Sequence, residues 1–422
     1  MRKLFISVLT LSLLGGIVGC SNNNDEVIPI TPPTSGGGGE EVDYTLSGQI
    51  NEDKTLTADG IWELRGRVSV TDRATLTIEP GTIIKALPGT GANASTIIIA
   101  RGSKIMAEGT ADNPIIMTSV ADNIELGQKF GTNLTISDRA LWGGLLILGN
   151  AKGSFSGDSS ENQIEGIPAD DTNGLYGGTD DEDNSGVLNY ISIRHGGALI
   201  GEGNEINGLT LGAVGSGTSI SNIEVVGNFD DGIEFFGGAV NVSNVILYGG
   251  GDDGLDIDQA YSGTITNSLV IQGLLSDHGM EIDGGEGSYQ AGFAMNGITL
   301  IGNIDAGDGY ASYADLRDNA QGTISNVYAT GFKVESNVEL DNNVVAQNFI
   351  DGKIVFENWE INLPEGVNDA NSIFQEKTGE GESTIITPSF TEQASAWTSE
   401  GTSGGADLSV FDWTFAASQN AY

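Results

Sequence analysis

Cysteine, histidine and positive charge are what this chain of 422 residues has least of. It holds one cysteine, two histidines and 17 lysines and arginines together. A lone cysteine excludes a disulfide framework and a thiolate zinc site. Seventeen bases against 58 acids give a formal net charge of -41, which excludes the clustered lysine and arginine that grip nucleic-acid phosphates or anionic lipid headgroups. No long stretch keeps a 3.6-residue apolar period, so helices are expected to be scarce. The longest apolar run, residues 4–18, is too short to span a bilayer as a helix. What is abundant is glycine, 63 residues, roughly twice the usual share. Hydrophobic residues reach 38%, enough for a core. The charge balance favours cations, neutral glycans or basic partners.

The N-terminus reads as an address. Arg2 and Lys3 precede the apolar run, which ends Ile17-Val18-Gly19-Cys20. Length and flanks suit a secretory signal, and the ending resembles a bacterial lipobox, whose cysteine is lipidated and becomes the mature N-terminus. Residues 1–19 are then a lipoprotein signal peptide, Cys20 is the lipidation site, and the membrane is a partner through that anchor. Residues 20–43, with Ser21-Asn22-Asn23-Asn24-Asp25-Glu26, three prolines and four consecutive glycines, cannot build a core and read as a flexible acidic tether. Cys20→Ala is expected to abolish fatty-acid labelling and release the protein from the membrane fraction; a mutant that stays membrane-bound beside an unlabelled wild type would refute the anchor.

From Tyr44 the texture changes to short Ile/Val/Leu/Thr strands separated by Gly, Asn and Asp. Ile220-Ser221-Asn222-Ile223 recurs as Val242-Ser243-Asn244-Val245, Ile265-Thr266-Asn267-Ser268, Met295-Asn296-Gly297-Ile298 and Ile324-Ser325-Asn326-Val327, with Leu188-Asn189-Tyr190-Ile191 as an earlier copy. The asparagine spacings are 33, 22, 23, 29 and 30. A second element, Gly208-Leu209-Thr210-Leu211, Gly232-Ile233-Glu234-Phe235, Gly254-Leu255-Asp256-Ile257 and Gly279-Met280-Glu281-Ile282, interleaves with it at spacings of 24, 22 and 25. Several short strands per repeat at this period fit a parallel β-helix, each coil giving one strand to each sheet. The fold class expected is all-β, a right-handed single-stranded parallel β-helix (solenoid) over residues 44–361. The asparagines are expected to form an internal amide ladder. A polar excursion is expected over residues 153–186. Residues 362–422, where the repeat fades, would form a C-terminal cap, with Phe390, Trp397, Phe411, Trp413 and Phe415 covering the open end.

Lipobox, acidic tether, Leu141-Trp142-Gly143-Gly144-Leu145-Leu146-Ile147-Leu148-Gly149, Asp183-Asn184-Ser185-Gly186 and the Asp-Asp-Gly strands together resemble the Bacteroidota surface lipoproteins with a right-handed, pectin-lyase-like β-helix. The resemblance implies fold and an outer-membrane, lipid-anchored, surface-exposed location. It implies no particular activity.

The chemical signal is acidic. Strand alternation sends Ile233 and Phe235 inward and Glu234 outward. One outward column then reads Thr210, Glu234, Asp256, Glu281, Asp315, and the next Phe236, Asp258, Asp283, Arg317. Asp230-Asp231, Asp252-Asp253 and Asp277-His278 sit in the preceding turns. Like charges at coil spacing repel by roughly 1 kcal/mol even in water. A divalent cation, raised carboxylate pKa values or Arg317 would compensate. The oxygen donors favour calcium over zinc, with Glu234, Asp256, Asp258, Glu281 and Asp283 as its ligands and no organic cofactor. Against this stands a solvated acidic face that binds nothing.

Asn228-Phe229-Asp230-Asp231-Gly232, Gly251-Asp252-Asp253-Gly254, Asp277-His278-Gly279 and Arg317-Asp318-Asn319 occur in the order of the four motifs of polygalacturonase-type β-helix hydrolases, and resemble them. That resemblance implies an inverting hydrolysis in which Asp231, Asp252 and Asp253 serve as acid and bases, His278 sets protonation, and Arg317 binds a sugar carboxylate. The first motif has one extra residue, Asp277 replaces a glycine, and Asn319 replaces a lysine. Calcium-dependent elimination from a uronate would need Arg317 as base. His195 is expected to be a surface or turn residue rather than a catalyst, and Trp142 to sit in the core or at a corner.

Three functions follow. The leading one is a surface β-helix for binding or adhesion to a polysaccharide, with calcium. The second is a polysaccharide-degrading enzyme, glycoside hydrolase before lyase, on a uronate-containing polymer. The third is an accessory partner of an outer-membrane transporter.

Overall fold

The computed structural model describes residues 43–199, 205–377 and 385–422. The expected signal peptide, Cys20 and nearly all of the expected tether lie outside the described residues. Residues 44–422 form one compact unit.

Within it, 24 of the described strands join one continuous parallel sheet that winds into a right-handed parallel β-helix. The strands are short because each coil must turn away to meet the next face: they run from three residues, as in Lys54–Leu56, to ten in Ile61–Val70. Every pairing within this sheet is parallel, each strand bonding the equivalent strand of the neighbouring coil, as in Ile233–Phe236 with Leu255–Asp258. Alternation does the sorting. Leu209, Ile233, Leu255, Met280, Ala314, Val338 and Phe374 stack directly over one another inside the helix, and all are buried. Each such large side chain contributes about 1.5–3 kcal/mol by leaving water.

Two outward columns are also covered. Ile98, Leu146 and Thr210 stand in register on the outer face. The polar excursion, tied by an antiparallel pair Asn162–Gln163 with Leu175–Tyr176, lays Phe155, Ile164, Ile167 and Tyr176 over that stretch. On another face the outward column runs Ser192, Glu224, Ile246, Leu269, Thr299, Tyr328, Glu360, and the C-terminal tail lies on it.

That tail corrects one expectation. Phe390 and Trp397 do close the last coil, packing on Phe356 and Phe374. The region begins, however, with two further strands of the stack, Phe374–Glu376 and Thr398–Glu400. Phe411, Trp413 and Phe415 cap nothing at the end. They run back along the outside: Phe411 joins Ile246, Leu269 and Ile271, Trp413 meets Tyr190 at 5.4 Å, and Phe415 meets His195 at 6.5 Å. His195 is therefore buried in its turn, its Nδ1 2.7 Å from the Asp138 carbonyl oxygen. Trp142 is buried as expected, donating to the Arg194 carbonyl.

The asparagine ladder exists but is not internal. Asn222 donates to Asn189 at 2.7 Å, Asn244 to Asn222 at 3.1 Å, Asn267 to Asn244 at 2.8 Å, and Asn358 to Asn326 at 3.0 Å. These side chains are half-buried or exposed. Asn222, Asn244, Asn267, Asn326 and Asn358 each have φ near +54°, so each is the bend in a long strand, a left-handed position that asparagine tolerates better than most residues. Asn189 and Asn296 sit one place earlier, opposite Ser221 and Ser325, and the bends beside them are made by Tyr190 and Gly297. Asn244→Leu is expected to cost about 1–2 kcal/mol in a urea melt through left-handed strain, while Asn244→Gly stays near neutral. Equal large losses for both would indicate a buried amide ladder instead.

Candidate functional site

The outward acidic column is in register: Thr210 pairs with Glu234, Glu234 with Asp256, Asp256 with Glu281, Glu281 with Asp315. It continues to Glu339 and Gln375. The column turns from apolar to acidic where the cover of the excursion ends, and Glu234 and Asp256 at that edge are only 7% and 9% exposed.

The turn acids divide by role. Asp231 and Asp253 are buried, and each holds the next coil: Asp231 Oδ1 accepts the Asp253 N–H at 2.9 Å, and Asp253 Oδ1 accepts the His278 N–H at 2.6 Å. His278 Nδ1 also lies 3.1 Å from Asp253 Oδ1. Asp230, Asp252 and Asp277 are less buried. With Glu205, Arg139, Phe229, Leu275 and Tyr310 they line an open cleft of about 440 Å³.

The bases take up part of the charge. Arg317 is shared between Glu281 and Asp283, its Nη2 2.8 Å from Asp283 Oδ2. Lys377 bridges Glu339 and Asp341 at 2.9 and 2.8 Å. Burial lowers the His278 imidazole, but its bond to Asp253 and the charges of Asp253, Asp277 and Asp315 outweigh that and raise it to about 9. It is a cation at neutral pH. Arg317, held by Asp283 and Glu281, also stays charged.

Elsewhere the carboxyl groups are pushed up, first by burial and then by one another. Asp252 and Asp315 rise to about 6, Asp258 and Glu165 to about 7, and Asp230 and Glu281 to about 8. Asp231, Glu234 and Asp256 move well above the usual carboxylate range for the same reasons. Carboxylates this close cannot all ionise without a counter-charge.

Among the described residues, four groups place three ligand atoms within 4.8 Å of one another: Asp253–His278–Glu281, Asp230–Asp231–Asp252, Asp231–Glu234–Asp256 and Asp315–Glu339–Asp341. The first contains the His278 cation, and the last has Lys377 across two of its members. Neither Asp230–Asp231–Asp252 nor Asp231–Glu234–Asp256 has such a base, and the second is the more buried. Glu234 accepts from the Asn207 amide. Asp256 Oδ1 and Asn207 Oδ1 are buried with no hydrogen-bond donor. The five ligands expected from sequence are thus divided: Glu234 and Asp256 stand with Asp231, Glu281 and Asp283 are tied to Arg317, and Asp258 accepts the Gln259 N–H.

Sequence reasoning missed Glu339 and Asp341, although Val338-Glu339-Leu340 repeats the alternation of the column. It missed Glu165 because nothing local says that the excursion will return to this edge, and Glu205 because it stands outside the repeated element that begins at Gly208. It quoted Phe229 only as part of a motif and overlooked Tyr310.

The sequence model of the pectate-lyase like beta helix domain matches residues 48–416. No curated protein and no solved structure matches the chain.

Proposed function

The chain belongs to the pectate-lyase like beta helix domain family, and on that premise we propose that its acidic face binds a glycan with the help of calcium held by Asp231, Glu234 and Asp256. The observation that carries this is the more buried carboxylate group without a base, bordered by two buried oxygens, Asp256 Oδ1 and Asn207 Oδ1, that lack donors. Orphaned oxygens of this kind cost about 1–3 kcal/mol each unless something binds them. An all-oxygen set suits a hard cation such as calcium. Bound there, calcium supplies the missing counter-charge and coordination positions that sugar oxygens can fill. The lipid on Cys20 would display the face outside the cell.

Calcium at 100 times its dissociation constant is expected to raise stability by about 2.7 kcal/mol. The double change Glu234→Gln, Asp256→Asn should remove that gain and stabilise the calcium-free protein at pH 8. Since the ligands must lose protons, affinity should fall towards pH 5. Calorimetric titration that finds no calcium binding at pH 8 would sink the cation half of the proposal.

An inverting hydrolase is the second reading, favoured by two carboxyls of different strength, Asp230 at about 8 and Asp252 at about 6, lining one cleft. Asp252→Asn would then abolish release of reducing ends without lowering the melting temperature. Asp253 is a poor probe, because it anchors the next coil through His278.

A further inference from the structure

We infer that the cleft between Phe229 and Tyr310 selects a glycan carrying free amino groups, a polymer of unacetylated hexosamine, rather than a polyuronate. The inference rests on the glycan reading above and narrows it.

The walls provide the surface that sugars use. Phe229, Leu275 and Tyr310 are 38%, 49% and 43% exposed and line the same cleft. Two aromatic rings and an aliphatic side chain offer flat apolar area to the C–H faces of a pyranose, and the rings also attract a cation. The polar lining has one dominant sign. Glu205, Asp230, Asp252 and Asp277 contribute carboxyl groups, and Arg139 is the one base among the described lining residues. Arg139 is half-buried and donates through Nη2 to the Ile136 carbonyl at 3.1 Å, while its Nη1 has no acceptor, so the lining sets one unpaired base against four carboxyl groups.

A uronate needs a free cation for each carboxylate it brings. The two bases nearest the acids are already engaged, Arg317 by Glu281 and Asp283, and His278 by Asp253. An ammonium group meets the opposite situation. It brings three donors and no acceptor, and the cleft presents acceptors. Two of these acids, Asp230 and Asp252, lie in one cluster with Asp231, which also belongs to the cluster of Glu234 and Asp256, whose Oδ1 has no donor. Charge-assisted bonds to carboxylates are the stronger kind, so acetylation of the amine, which removes the charge and adds bulk, should be read as a large loss.

The test is calorimetric titration of the full chain with hexamers of β-1,4-linked glucosamine, of its N-acetylated counterpart, of galacturonate with and without calcium, and of glucose. A hexalysine peptide serves as a control for bulk charge. The glucosamine hexamer is expected to bind at least about tenfold tighter than the others. Asp252→Asn and Tyr310→Ser, both at exposed positions, should each weaken it about tenfold without lowering the melting temperature. If hexalysine binds as tightly, or if neither substitution matters, the attraction belongs to the general acidity of the chain and the inference is wrong. If the galacturonate, acetylated or glucose hexamer binds best, the inference falls while the glycan reading stands. If no oligosaccharide binds, both fall.

Discussion

Raising the pH of the calcium-free protein from about 4 to about 8 should destabilise it by on the order of 5 kcal/mol, a direction opposite to that of a protein stabilised by salt-bridged carboxylates. In the unfolded chain these side chains titrate at 3.8 for aspartate and 4.5 for glutamate. In the fold, burial and then neighbouring carboxylates hold protons on Asp258 up to about 7 and on Glu281 up to about 8. Between the two ranges the native state binds more protons than the unfolded state, so stability falls as pH rises. The rise at Asp258 alone, from 3.8 to about 7, corresponds to about 4 kcal/mol. The groups share neighbours, so the total is less than the sum of the parts. His278 acts in the same direction: its folded value of about 9 lies above 6.5, so its contribution is complete below pH 6.5 and is lost as pH passes 9. Urea midpoints in a chelator at about pH 5 and pH 8 check this. A midpoint that is flat or rises with pH would show that these carboxylates ionise freely. If calcium is the natural counter-charge, adding it at pH 8 should restore much of the loss, and the Glu234→Gln, Asp256→Asn variant should flatten the slope with no calcium present.

The acidic column was readable because two-residue alternation leaves no choice of face: once Ile233 and Phe235 are core, Glu234 is outside, and coil spacing fixes its neighbours. Register at the bends was harder. The sequence copies align Asn189 and Asn296 with the other asparagines, whereas the fold puts them one place earlier. A physical clue was present at the second site, since glycine takes a positive φ more cheaply than asparagine, and Gly297 stands next to Asn296. Non-local cover left only indirect signs. Val245-Ile246-Leu247 and Ile97-Ile98-Ile99 are apolar on both faces, as strands covered on both sides are, but nothing in them says which segment does the covering. The raised carboxyls follow from that same cover: Glu165 reaches the column edge only because the excursion folds back, and it adds to the charge around Asp230 and Glu234.

The tail that covers the Ile246–Leu269 face is expected to depend on one buried glutamate. Glu224 is fully buried and accepts the Ala416 N–H at 2.9 Å through Oε1. Its Oε2 accepts from Ser192 at 2.5 Å and lies 3.8 Å from Arg194 Nη2. Arg194 is also fully buried, packs against the rings of Phe130 and Phe415 at 5.4 and 5.3 Å, and donates through Nε to Ser192. Its two terminal nitrogens have no hydrogen-bond acceptor, so the carboxylate of Glu224 is its nearest compensation. Glu224→Ala strands that cation in an apolar pocket and should cost about 3–5 kcal/mol. The same change removes the acceptor that ties the tail to the coil, so limited proteolysis should cut near residue 401 and release a C-terminal fragment. Replacing both charges, Arg194→Met with Glu224→Leu, should recover most of the loss, because a paired charge exchanged for apolar volume is close to neutral. The proteolysis site should stay open in that double variant, since the Ala416 N–H still lacks its acceptor. A Glu224→Ala protein that melts normally and keeps its tail protected would mean that Phe411, Trp413 and Phe415 hold the tail by apolar contact alone.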